Sequence, residues 1–138
     1  INHTFTQKQG VVRGMHFQRP PYAEMKLVSC IKGEVWDVAI DLRQRSPTFL
    51  QWHAEKLSAD NQCALLIPEG FAHGFQTLSP ECELLYLHSM PYNAEHEDAL
   101  NMLDPTLNIE WPLAITEVSE RDKTHPTIHS SFKGLIIP

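Results

Sequence analysis

The stretch KGEVWDVAIDL, residues 32–42, opens on a Lys-Gly-Glu reversal and continues as an alternating strand. Gly33 can supply the positive φ that a tight turn between two strands needs. Beyond it, Trp36, Val38, Ile40 and Leu42 fall on one face by the two-residue period. Val35, Asp37, Ala39 and Asp41 fall on the other. One side packs as core, and the other carries carboxylates into water or into a cavity.

Similar short runs lie on both sides of this stretch. They cover roughly 10–17, 24–32, 34–42, 48–57, 62–68, 71–78 and 82–90, separated by Pro, Gly, Asn and Asp. The pattern predicts an all-β chain, an antiparallel sandwich or barrel. LSADNQ and LSPEC are turn-rich connectors. After residue 92 the alternation stops: NAEHEDALNML reads as a short helix or an irregular cover, and VSERDKTHP as one helical turn capped by Ser119. No repeat or domain boundary stands out, so residues 1–138 are expected to form one domain. A jelly-roll-like sandwich of this size can leave a hollow between its sheets, into which polar residues from several strands point.

Bulk composition narrows the function classes. The formal net charge is -6 and the eleven Lys and Arg are scattered, which argues against a nucleic-acid surface. No apolar run is long enough to span a membrane, and no signal-peptide pattern opens the chain. Three widely spaced cysteines, Cys30, Cys63 and Cys82, fit neither a disulfide framework nor a zinc knuckle. Reduced thiols in the cytoplasm are the plain expectation.

Several polar residues sit in otherwise apolar runs. In GVVRGMHFQRP, residues 10–20, Arg13 and His16 are three apart and point to opposite faces of a regular strand. They meet at one site only if the strand kinks at Gly14; otherwise Arg13 is a surface or interface charge. Lys26 alternates with Val28 and Cys30, either as a solvated edge residue or facing inward. His73 lies between Phe71 and Phe75 on one face, and Tyr86 shares a face with Leu84, His88 and Met90. Each is either a satisfied core residue or part of a site. The H-x-H pair of metal-binding sandwiches is broken at Gln18, so no metal is expected.

Taken together, VVRGMHFQ, KLVSCIKGEVWDVAIDLRQRSPTF, IPEGFAHGFQTLS, YNAEHE, DPTLNIEWPL and SERD closely resemble the dTDP-4-dehydrorhamnose 3,5-epimerase family. The resemblance runs from about Asn2 to Pro126. It implies a cupin-like antiparallel jelly-roll with short C-terminal helical or irregular segments. It further implies a homodimer that uses no metal or other cofactor and inverts C3 and/or C5 of a dTDP-linked 4-keto-6-deoxy sugar, in dTDP-L-rhamnose-type biosynthesis.

By the same resemblance His16 is the catalytic base, Asp122 the carboxylate behind it, Tyr86 the acid on the other ring face and Lys26 the cation near the C4 oxygen. Arg13, Gln18, His73, Tyr92, Glu97 and Arg121 fall on substrate-binding positions, Arg13 toward the diphosphate. The family ordinarily carries a few dozen residues before the point where this chain starts. Ser29, Leu87 and Pro91 depart from its usual residues. The alternatives are an inactive nucleotide-sugar-binding relative, a structural partner, or a sugar ketoisomerase on the same fold.

Overall fold

The computed structural model describes residues 1–138. Nine strands form two antiparallel sheets. In chain order they are β1 (Asn2–Thr6), β2 (Val12–Gln18), β3 (Lys26–Lys32), β4 (Glu34–Asp41), β5 (Trp52–Ser58), β6 (Ala64–Ile67), β7 (Phe71–Thr77), β8 (Cys82–His88) and β9 (Glu97–Ala99), followed by a one-turn helix α1 (Glu120–Lys123). One sheet has the order β1-β8-β3-β6 and the other β5-β4-β7-β2-β9. No helix is long and apolar enough to cross a membrane.

All seven expected strands are present, with ends shifted by a few residues. The Lys32–Glu34 reversal is there too, with Gly33 at φ +77°. Two strands escaped the pattern. β1 is a short edge strand with mostly exposed side chains, and β9 is three residues inside NAEHEDALNML. That segment is a strand flanked by turns; the helix weighed for it does not form. α1 begins where expected, with the Ser119 side chain accepting from the Asp122 N–H.

Both faces of β4 are buried. Val38, Ile40 and Leu42 pack with Val12, Met15 and Phe17 of β2 against Leu100, Met102, Leu107 and Leu135 of the C-terminal segment. On the opposite face Val35 and Ala39 join Val28, Ile67, Phe75 and Leu84 between the sheets. The carboxylates of Asp37 and Asp41 on that face are fully enclosed. Asp41 is satisfied locally: Arg43, Ser46 and Thr48 donate to it. Burial alone would push its carboxyl up, but those donors hold it well below the ordinary carboxylate range.

β2 is not regular. Its pairing with β7 shifts register between Arg13 and His16, a bulge at the glycine. Val12 therefore joins Met15 and Phe17 on the outer core, and Arg13 joins His16 on the cavity side. Simple alternation had grouped Val12 with His16 and separated Arg13 from both. A Cβ on Gly14 would lie 2.7 Å from Gly74 Cα and 2.9 Å from the His73 carbonyl oxygen. β2 and β7 thus meet backbone to backbone at the site where their histidines diverge into the cavity.

Candidate active site

Between the sheets, at one end of the sandwich, lies a cavity of about 260 Å³. The five-stranded sheet contributes Arg13, His16 and Gln18 from β2 and His73 from β7. The four-stranded sheet faces them with Lys26 from β3 and with Tyr86 and His88 from β8. Asn2 and Thr4 of β1, with Glu24, Tyr92 and Glu97, complete the polar part of its wall. His16 and Tyr86 thus approach the space from opposite sheets.

Behind His16 stands Asp122. Its Oδ1 is 2.7 Å from His16 Nε2 and 3.1 Å from His125 Nε2, and its Oδ2 accepts from the Gly14 N–H at 3.2 Å. A carboxylate only accepts, so the proton sits on His16 Nε2 and the lone pair is left on Nδ1. That is the tautomer a ring needs to remove a proton. The same three side chains place their donor atoms within 4.8 Å of one another, a set that can also hold a divalent ion.

A second pair is fully enclosed: His73 Nε2 lies 2.7 Å from Asp37 Oδ1. Alternation allows Asp37 either water or a cavity; it is one of two enclosed carboxylates of β4, and its partner is 36 residues on. Tyr86 packs edge-on to the His73 ring, centroids 5.8 Å apart. Burial pushes its phenol up, the Asp37 carboxylate adds to the shift, and the proton is held firmly.

A third carboxylate, Glu24, was not anticipated. It lies 3.4 Å from Lys26 Nζ and 3.1 Å from His88 Nδ1. Lys26 is therefore an inward, largely enclosed cation and not a solvated edge residue. Alternation places Glu24 on the Lys26 face and His88 on the Tyr86 face, but the Glu24–His88 pairing spans 64 residues and has no local signal.

The remaining expected residues sit at the periphery. Arg13 lines the cavity, is exposed and forms no ion pair with a carboxylate of the chain. Gln18 lines the wall, but its amide is engaged with the Tyr22 and Pro91 carbonyls and the Asn93 N–H. Arg121 donates to Glu97 and lines a neighbouring groove that shares Arg13 and His16 with the cavity. The Tyr92 hydroxyl also bonds Glu97, which shifts that exposed phenol up.

Burial would raise the Asp122 carboxyl, but the bonds from His16, the Gly14 N–H and His125 prevail and bring it down to about 2. A carboxyl held below its unfolded value stabilises the fold above about pH 4, and that contribution is lost as pH falls toward about 2. Its size is about 2 kcal/mol. Urea denaturation of Asp122→Asn should show that loss at neutral pH and a flatter decline on acidification. A variant as stable as the parent at pH 7 would contradict the burial and bonding described.

A family model described as dTDP-4-dehydrorhamnose 3,5-epimerase matches residues 1–130. The epimerase of that name from Salmonella typhimurium is 47% identical over 132 residues, covering 95% of this chain and 72% of the relative. That from Sinorhizobium fredii is 43% identical over 128 residues, covering 92% and 66%. Among solved structures, the Bacillus anthracis epimerase with TDP and PPi bound has a TM-score of 0.89 at 41% identity, covering 92% of this chain and 73% of that one. The Legionella pneumophila epimerase in complex with dTDP-4-keto-L-rhamnose has a TM-score of 0.88 at 37% identity, covering 100% and 76%. The chain spans 66% of the length of the Sinorhizobium and Shigella flexneri relatives. With a family model matching residues 1–130 and a relative 47% identical over 95% of the chain, the chain belongs to the dTDP-4-dehydrorhamnose 3,5-epimerase family.

Proposed function

We propose that this chain epimerises C3 and/or C5 of a dTDP-linked 4-keto-6-deoxyhexose, in deoxysugar biosynthesis of the dTDP-L-rhamnose type. The observation that carries the reading is His16 of one sheet, backed by Asp122 of α1, facing Tyr86 of the other sheet across a cavity. A proton beside a ketone becomes removable when the developing enolate oxygen meets positive charge or a donor. Lys26 supplies that charge, and His73 is placed to support it. His16 Nδ1 takes the proton, and Asp122 steadies the imidazolium that forms. Tyr86 returns a proton from the opposite ring face, which inverts the centre. Arg13, an unpaired cation at the rim, suits the diphosphate. Arg121, Glu97 and Tyr92 form a linked edge for the rest of the ligand, and Gln18 shapes the wall.

We also propose a two-fold homodimer. The outer face of the four-stranded sheet exposes Phe5, Ile31, Leu66 and Leu87, an apolar patch that a second copy would cover. Light scattering should give about twice the 15.8 kDa chain mass; a monomer at working concentration would exclude this. The free thiols at Cys30, Cys63 and Cys82 suit a reducing compartment such as the cytoplasm.

Incubation with dTDP-4-keto-6-deoxyglucose in D₂O tests the reaction. Deuterium should enter at C3, C5 or both, and His16→Asn should slow this on the order of 10²–10⁴-fold. In Tyr86→Phe, exchange should outlast net inversion, because proton removal does not need the phenol. Absence of both exchange and inversion in the parent chain would leave an inactive relative, nucleotide-sugar-binding or structural, as the remaining reading.

A further inference from the structure

Three histidines that line the cavity each pair with a carboxylate: His16 with Asp122, His73 with Asp37 and His88 with Glu24. The proposed reaction uses the first two. The third is distinguished by its shared carboxylate. Glu24 Oε2 lies 3.1 Å from His88 Nδ1, while Oε1 lies 3.4 Å from Lys26 Nζ. The side chains of Glu24 and Lys26 are only 9% and 13% exposed, so water screens their interaction poorly. The other nitrogen of His88 is buried without a partner, and the ring stacks on Tyr86 with centroids 6.0 Å apart. A buried ring nitrogen left unbonded is costly. The polar bond that His88 does make is the one to Glu24.

A carboxylate paired wholly with Lys26 would cancel much of the ammonium's field in the cavity and draw it toward the wall. One whose second oxygen is held by a ring N–H is anchored at a fixed distance. We propose that His88 is a positioning residue. By holding Glu24, it fixes where the Lys26 ammonium sits and how much of its charge reaches the sugar's C4 oxygen. Its effect on rate rests on the epimerase reading; the coupling of His88 to Lys26 through Glu24 does not.

Two substitutions separate this from mere packing. His88→Phe keeps an aromatic ring against Tyr86 and removes the bond to Glu24. His88→Asn loses the ring but retains an amide donor near the position of Nδ1. Side-chain effects at one remove from the reacting atoms are about 10-fold or more. His88→Phe should therefore lower kcat about 10-fold, leave KM nearly unchanged, and move the Lys26 Nζ resonance in the ligand-free protein. His88→Asn should restore most of the rate. In a Glu24→Gln background His88→Phe should add no further loss, because the shared partner is already gone.

An unmoved Lys26 resonance, a His88→Phe kcat equal to that of the parent, or additive losses in the double variant would each overturn the proposal. If the parent chain turns over no 4-keto sugar, the epimerase reading fails and the Lys26 resonance alone decides the coupling. If His88→Phe does not fold, a Lys26 resonance shift in His88→Asn smaller than that in Glu24→Gln supports the coupling, and an equal or larger shift overturns it.

Discussion

The carboxylate of Asp122 holds the C-terminal turn of helix against the bulge in β2, and the rest of the site depends on that contact. Isolated in a nearly dry position, it would be expensive. It is tolerated because His16, the Gly14 N–H and His125 all donate to it. Ser119 caps the turn from which it projects, so the cap, the carboxylate and the histidine form one chain of cause. The same contact keeps the proton on His16 Nε2 and leaves the lone pair on Nδ1. Structure and proposed chemistry thus use one interaction.

A second constraint is the burial of the five-stranded sheet on both faces. The outer face is sealed by Leu100, Met102, Leu107 and Leu135, which carry much of the apolar packing. With that core in place, the inner face can hold Asp37, His73 and His16 among apolar neighbours: Asp37 pairs across from Phe75, and Ala39 across from His73. The cavity is thus the polar part of an otherwise ordinary sheet-on-sheet core. The exposed apolar residues on the outside of the four-stranded sheet have no such cover within the chain.

Much of this was legible in the sequence, for reasons that differ by element. Strands with clean alternation, such as β4, β7 and β8, were visible because their inward and outward neighbours differ in polarity. β9 was not, because three residues among charges carry no period. The placement of Arg13 defeated alternation because the bulge changes parity within one strand. The pairing of His16 with Asp122, 106 residues apart, came through family motifs and not through spacing. Glu24 with His88 lay beyond both routes: the partners are 64 residues apart and only the folded sheet joins them.

A crystal structure of the chain with a bound dTDP-linked 4-keto-6-deoxy sugar tests the central claim most directly. The sugar ring is expected inside the cavity, with His16 Nδ1 about 3–3.5 Å from C3 or C5 on one face. The Tyr86 hydroxyl should lie on the opposite face, and Lys26 Nζ within hydrogen-bond reach of the C4 oxygen. A ring seated outside the cavity, or one with His16 and Tyr86 on the same face, would contradict it.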